Sequence, residues 1–307
     1  LERQLAYWVE ALAGAPQRLE LPADHPRPAV QSYRGDRLRQ PIDGERTAAL
    51  KAFGQARGAT LFMTLFSAFA VLLYRYTGQD DLLIGSPIAN RTQSETEPLV
   101  GLFVNTLVLR ARLHGELRFT ECLAQVRRMT LGAYAHQALP FETLVERLNP
   151  ERSLSHSPLF QVMFVLQNTG IAELDLPGVA VDAVPQEVGV AKFDLTLNVI
   201  ETAQGLELEW EYATDRFEQP RIARMAGHFA VLLDGLLAQP ETPVHALPLL
   251  TDAERVDLER WGTGPVAEAP GDLVARFEAQ AAARPTAPAV VADEETLSYA
   301  GLNARAN

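Results

Sequence analysis

Three kinds of side chain in this 307-residue sequence invite a chemical reading: a serine in an apolar setting, a single cysteine, and six histidines. Ser86 lies in Ile84-Gly85-Ser86-Pro87-Ile88. A hydrolase serine sits on a sharp elbow between two glycines, and the second glycine is absent, so Ser86 reads as a residue at a strand end. Cys122 falls within a helical pattern with no neighbouring His or Lys to lower its pKa, and reads as core. The histidines at 25, 114, 136, 156, 228 and 245 show no spacing that sets two imidazoles on one helix face, so no metal site is expected. Gly85 and Gly101 are too far apart for a phosphate-binding loop, and no bound nucleotide is expected. His136 and Glu142 admit two readings, an acid–base pair or a corner between helices. The end of one helix and the start of the next are positions that suit capping and dipole interactions, which favours the corner.

The elements that must position these residues follow from periodicity. Apolar residues recur at helical spacing from Glu45 to Arg57 and from Leu61 to Tyr76, with Gly58 between and Thr60 placed to cap the second helix. Asp81 to Ser86 and Phe103 to Leu113 read as strands joined by the polar stretch Asn90 to Glu97. Phe119, Leu123, Val126, Thr130 and Tyr134 mark one helix face, and Pro140 suits the first turn of a helix over Phe141 to Leu148. Phe160 to Gln167 is a nearly continuous apolar run, while the segments around Phe193–Val199 and Leu206–Tyr212 alternate and suggest a hairpin turning near Gln204 and Gly205. Ile222, Met225, Phe229, Leu232 and Leu236 give an amphipathic helix ending before Pro240. The pattern predicts an α+β fold with a two-layer sandwich.

Beyond Pro248 the character changes. Thr251 and Glu254 suggest a capping box for a short helix, Gly262 to Gly271 reads as loose linker, and Ser298 is placed to cap a last helix. The expected boundaries are a main domain over 1–245, a linker over 246–271 and the start of another domain over 272–307. Leu1 and the final helical residues give both ends the look of cuts.

A formal charge of −12 with no basic stripe argues against nucleic acid. The run Leu61 to Tyr74 is too short for the roughly 20 residues of a membrane span. One cysteine excludes an internal disulfide, and with no signal-peptide pattern a cytoplasmic location is expected.

Four segments together carry a family likeness: Ile84-Gly85-Ser86-Pro87-Ile88-Ala89-Asn90-Arg91, Val100-Gly101-Leu102-Phe103-Val104-Asn105-Thr106, His136-Gln137-Ala138-Leu139-Pro140-Phe141-Glu142, and Arg152 through Pro158-Leu159-Phe160. With Lys192-Phe193-Asp194-Leu195-Thr196-Leu197, their order and spacing resemble the C-terminal lobe of the condensation domain of nonribosomal peptide synthetases. The tail resembles the opening of an adenylation domain through Phe277-Glu278-x-Gln280-Ala281 and Leu297-Ser298-Tyr299-x-x-Leu302-Asn303-x-Arg305-Ala306.

The resemblance implies a chloramphenicol-acetyltransferase-like fold, of which this chain supplies one lobe, with a tunnel between lobes for carrier-protein arms. It implies peptidyl and aminoacyl carrier proteins as partners, the other lobe and the rest of the adenylation domain in the same polypeptide, and 4'-phosphopantetheine carried by those partners rather than bound here. The family's His-His-x-x-x-Asp-Gly motif is absent. Asp234-Gly235 would require histidines at Phe229 and Ala230, so no catalytic residue is assigned, the chain alone is expected to be inactive, and His228 reads as structural or surface. Gly85, Ser86, Asn90, Arg91, Gly101, Asn105 and Thr106 are the candidate tunnel residues. Two alternatives stay open for them: the Gly85–Gly101 loop as tunnel floor or plain polar turn, and Asn105 as channel lining or backbone partner at a strand start. His136, Gln137, Pro140, Phe141 and Glu142 form the candidate structural corner. A scaffold or carrier-docking lobe without catalysis is the competing function.

Overall fold

The apolar run after Thr60 forms the helix that its caps specify. The Thr60 hydroxyl accepts the Met63 amide at 3.2 Å, and Gly78, at φ +69°, ends the helix in the left-handed region where glycine carries no steric cost. The computed structural model describes residues 1–91, 94–96, 99–151, 153–167, 189–264, 272–292 and 295–307.

Two compact units divide between Thr251 and Asp252. The first contains α1 (Glu2–Leu12), β1 (Gly35–Asp43), α2 (Gly44–Gln55), α3 (Leu61–Thr77), β2 (Asp81–Ile88), a 3-10 turn (Ser94–Thr96), β3 (Asn105–Arg112), α4 (Phe119–Ala135), α5 (Phe141–Leu148), β4 (Val162–Gln167), β5 (Leu195–Thr202), β6 (Gly205–Ala213) and α6 (Gln219–Ala238). The second contains α7 (Asp252–Gly262), α8 (Leu273–Ala283), β7 (Pro288–Ala292), β8 (Glu295–Ser298) and α9 (Tyr299–Ala306). The division falls six residues beyond the expected end of the main domain, and α7 occupies part of the expected linker; residues 265–271 lie outside the described residues. Ser298 caps α9 as expected, accepting the Gly301 amide at 3.2 Å. None of the described helices is long and apolar enough to cross a membrane.

Among the described residues, the first unit holds a six-stranded mixed sheet in the order β1-β6-β5-β4-β2-β3. β4 runs parallel to both β5 and β2, and the other pairs are antiparallel. Register sorts the side chains because successive residues of a strand point to opposite faces. Leu38, Trp210, Leu197 and Phe164 align across four strands on the face that the helices cover. There α3 supplies an almost unbroken set of buried residues from Met63 to Leu73, and Phe69 meets Trp210 and Phe229 edge-on at 6.2 and 6.4 Å between ring centres. Each such large buried side chain contributes about 1.5–3 kcal/mol. The other face carries Arg37, Glu211, Thr196, Met163, Gly85 and Val108 in one row.

α1 and β1 have no counterpart in the periodicity reading. β1 is a charged edge strand in which Arg37 and Arg39 face Glu211 and Glu209 of β6, and it lacks the apolar alternation that marks a strand in sequence. α1 is anchored by Trp8, whose indole N–H donates to the His136 carbonyl at 2.9 Å.

Candidate functional site

The segments that carry the family likeness converge at one end of the sheet, and each contact between them has an identifiable cause. Gly85, on β2, sits where a Cβ would overlap the ring of Phe160, so glycine there lets the loop before β4 close over the strand. The Phe160 ring lies 5.7 Å from that of Phe141 and 5.3 Å from that of Phe193. Asn105, at the start of β3, donates its side-chain amide to the carbonyls of Gln137 and Leu139 at 2.9 and 2.8 Å and accepts the Phe141 amide at 3.0 Å.

The candidate tunnel residues do not share one surface. Ser86 is buried, and its register with Leu107 turns it to the helix-covered face, away from the face of Gly85. Asn105 is spent on the 137–141 corner, the backbone role that its position at a strand start allowed. Thr106 is half-buried and pairs with Pro87 on the Gly85 side of the sheet. Asn90 has φ +51°, a left-handed turn position that asparagine tolerates. Arg91 closes its own loop: its guanidinium donates to the carbonyls of Thr96 and Leu99 and stacks 4.1 Å from the centre of the Phe103 ring. Gly101 is exposed, beside Phe103. Residues 92, 93, 97 and 98 of this loop, and Arg152 of the fourth segment, lie outside the described residues.

The corner is built as a structural joint. His136 Nδ1 lies 2.9 Å from the Gly132 carbonyl, and the ring of Tyr7 stacks on the imidazole at 4.0 Å with 6° between planes. Pro140 occupies the N-cap position of α5, just ahead of the first turn, without a side-chain capping bond, and Glu142 is exposed in that turn, where a carboxylate complements the helix N-terminus. Burial raises the pKa of Tyr7 and of Tyr134 nearby. The same cause pushes the Cys122 thiol, in the interior of α4, up to about 12. His228 is buried with Nδ1 2.7 Å from the Tyr76 hydroxyl. Asp234 pairs with Arg46 at 2.8 Å, and a Cβ at Gly235 would overlap the ring of Pro248. Asp234 is therefore held in an ion pair at the surface, and Gly235 in packing.

Comparison with known proteins gives this convergence a family. The condensation-domain model matches residues 1–259. The chain belongs to the condensation-domain family. This condensation domain is 50% identical over 311 residues to one of the linear gramicidin synthase proteins of Brevibacillus parabrevis, a match covering all of the chain and 6% of that protein. It is 45% identical over 310 residues to malpinin synthetase of Mortierella alpina, covering 4% of that protein. Among solved structures, a four-domain nonribosomal peptide synthetase, holo-AB3403, matches 98% of the chain with TM-score 0.82 and 26% identity, over 24% of its own length. The X-domain from teicoplanin biosynthesis matches 81% of the chain at TM-score 0.76 and 28% identity, over 57% of its length. The condensation domain described here is thus of the nonribosomal peptide synthetase kind, with the acyltransferase-like α+β fold, and it spans a small fraction of the curated relatives.

Sequence reasoning missed Arg27. It lies in a Pro-rich stretch with no periodicity, yet its guanidinium donates to both carboxylate oxygens of Asp194, one bond measuring 2.9 Å, and to the Ser155 carbonyl at 3.3 Å. An isolated arginine between prolines carries no pattern that reveals a partner 167 residues away.

Proposed function

We propose that this condensation domain provides one wall of a channel in which two carrier-bound thioesters form a peptide bond. In that reaction the acceptor amine nitrogen attacks the donor carbonyl carbon, the C–S bond breaks, the donor arm leaves as a thiol, and the amine proton moves to that sulfur or to a base. The 4'-phosphopantetheine arms belong to peptidyl and aminoacyl carrier proteins, which are substrates and partners of this chain.

The observation that carries the reading is the interlocking of the five motif segments. Gly85–Phe160, Asn105–Leu139, Phe141–Phe160 and Phe160–Phe193 join stretches far apart in sequence into one rigid end of the sheet. Rigid walls hold an amine and a carbonyl at reacting distance, and such alignment is worth about 7–11 kcal/mol of barrier. In this reading Thr106, half-buried on the Gly85 face of the sheet, faces the channel, while Gly85 lies beneath the Phe160 ring and shapes the wall.

The chain is the C-terminal lobe in this reading, and the histidine motif is supplied by another lobe of the same polypeptide. The 272–307 segment is the start of an adenylation domain, supported by its Phe277 and Tyr299 motifs, whose rings lie 6.0 Å apart, and by relatives matched over the full chain. Mixing the chain with donor- and acceptor-loaded carrier proteins tests the assignment. No product is expected from the chain alone, and dipeptide is expected once a lobe bearing His-His-x-x-x-Asp-Gly is joined to it. Peptide formation by the chain alone would overturn the division of labour, and failure of the joined protein would favour a docking or scaffold role.

A further inference from the structure

The motif cluster is tied down by a residue outside every motif segment. Arg27 and Asp194 form a two-pronged ion pair whose side chains are 11% and 5% exposed. Asp194 stands between Phe193, which packs on Phe160, and Leu195, which opens β5. Its backbone amide donates to the Gln161 carbonyl at 2.9 Å, and its carbonyl accepts the Ala213 amide at 3.1 Å. The third contact of Arg27, the Ser155 carbonyl, belongs to the loop that delivers Phe160. Gln161 extends the same tie: its side-chain amide reaches the Ser157 carbonyl at 3.1 Å and its oxygen accepts the Leu19 amide at 2.8 Å. One guanidinium therefore holds both the approach to Phe160 and the approach to Phe193.

A second guanidinium lies near the tie. Arg216 is also buried, donates to the His25 carbonyl at 3.0 Å, and has a buried Nε with no hydrogen-bond partner. Burial first, and then the neighbouring charge of Arg27, lower its pKa. Of the two guanidiniums, Arg27 is the one that pairs with Asp194. A planar fork meets that carboxylate with two parallel bonds, whereas an ammonium meets it at one point.

We propose that Arg27 is a positioning residue for peptide-bond formation, acting through Asp194 and Ser155 to set where the Phe160 loop lies against Gly85. The inference rests on the condensation reading above. Arg27 touches no reacting atom in this scheme; it fixes the wall.

The test uses the complete synthetase polypeptide carrying this chain, with loaded carrier proteins, single-turnover transfer rates and thermal melting. Replacing both partners by apolar residues, Arg27→Met with Asp194→Leu, removes the fork without stranding a charge, an exchange that is often neutral for stability. A melting temperature close to wild type is expected with a transfer rate down about 100-fold, the size of effect that a misplacement of about 1 Å produces. Carrier-protein KM should stay within about twofold, since the pair is buried and offers no surface to a carrier protein. Arg27→Lys keeps the charge and loses the fork, and should fold with a rate down about tenfold. Wild-type rates in either folded variant would overturn the proposal, and if the double variant fails to fold the lysine variant decides it. If wild-type synthetase itself forms no peptide bond, the condensation reading fails instead.

Discussion

The side-chain amide of Asn105 donates to the carbonyl of Leu139 at 2.8 Å, so a residue at the start of a strand completes a corner between two helices 34 positions further on. Three backbone groups depend on it: the Gln137 and Leu139 carbonyls and the Phe141 amide. Asn105→Ala leaves all three without that partner at a site 9% exposed. An unpaired buried group costs about 1–3 kcal/mol, and a loss of at least that size is expected in urea denaturation. Asn105→Asp keeps the acceptor for Phe141 but turns a carboxylate toward two carbonyls, and should be less stable than the alanine variant at neutral pH.

Gly85→Ala places a methyl group into the Phe160 ring. The forced shift should destabilise by about 1–3 kcal/mol, the usual cost of overpacking a filled core. Trimming the obstacle in the double variant Gly85→Ala with Phe160→Leu should recover part of the melting temperature. Additive losses in the two single variants and the double would show that the two residues do not press on one another.

Cys122 is 2% exposed within α4, and burial raises its thiol from about 9 to about 12. A folded-state pKa above the unfolded one gives stability that is complete below about pH 9 and is lost as pH rises toward 12. Cys122→Ala lacks this contribution, so the urea midpoints of wild type and variant should converge between pH 9 and pH 11. A constant gap across that range would refute the shift. The native thiol should also resist a disulfide-exchange reagent at pH 8 and react stoichiometrically in 6 M urea.

Thr60→Ala removes the hydroxyl that accepts the Met63 amide at the head of α3. A loss of about 1 kcal/mol is expected, with Thr60→Asp close to wild type because a carboxylate accepts the same bond. Equilibrium denaturation with coincident fluorescence and circular dichroism transitions measures it.

What the sequence made legible follows the strength of local signals. Thr60, the alternation of Leu206, Leu208, Trp210 and Tyr212, and the amphipathic stripe through Phe229 all report elements whose cause lies within a few residues. β1 was hidden because Arg37, Arg39 and Pro41 give it the look of a polar loop, and its identity as a strand comes from Glu207, Glu209 and Glu211, more than 160 positions away. The site divided in the same way. Motif order exposed which segments belong together, yet it could not assign faces: Ser86 and Gly85 are neighbours in sequence and point to opposite sides of the sheet. Arg27 was invisible because its role depends entirely on where Asp194 and Ser155 arrive.

β1, the outermost strand among the described residues, has a bearing on how copies of this protein behave when crowded. Two β1 strands meeting edge to edge about Leu38 would set Arg37 of each against Arg39 of the other, and Pro41 would offer no N–H to the ladder. Sheet-to-sheet fusion of identical molecules is thereby discouraged at the one rim where it would continue the strand order past β1. A concentrated solution should stay dispersed through that rim, while Arg37→Val with Arg39→Val would give it an apolar template and a route to fibrous self-association.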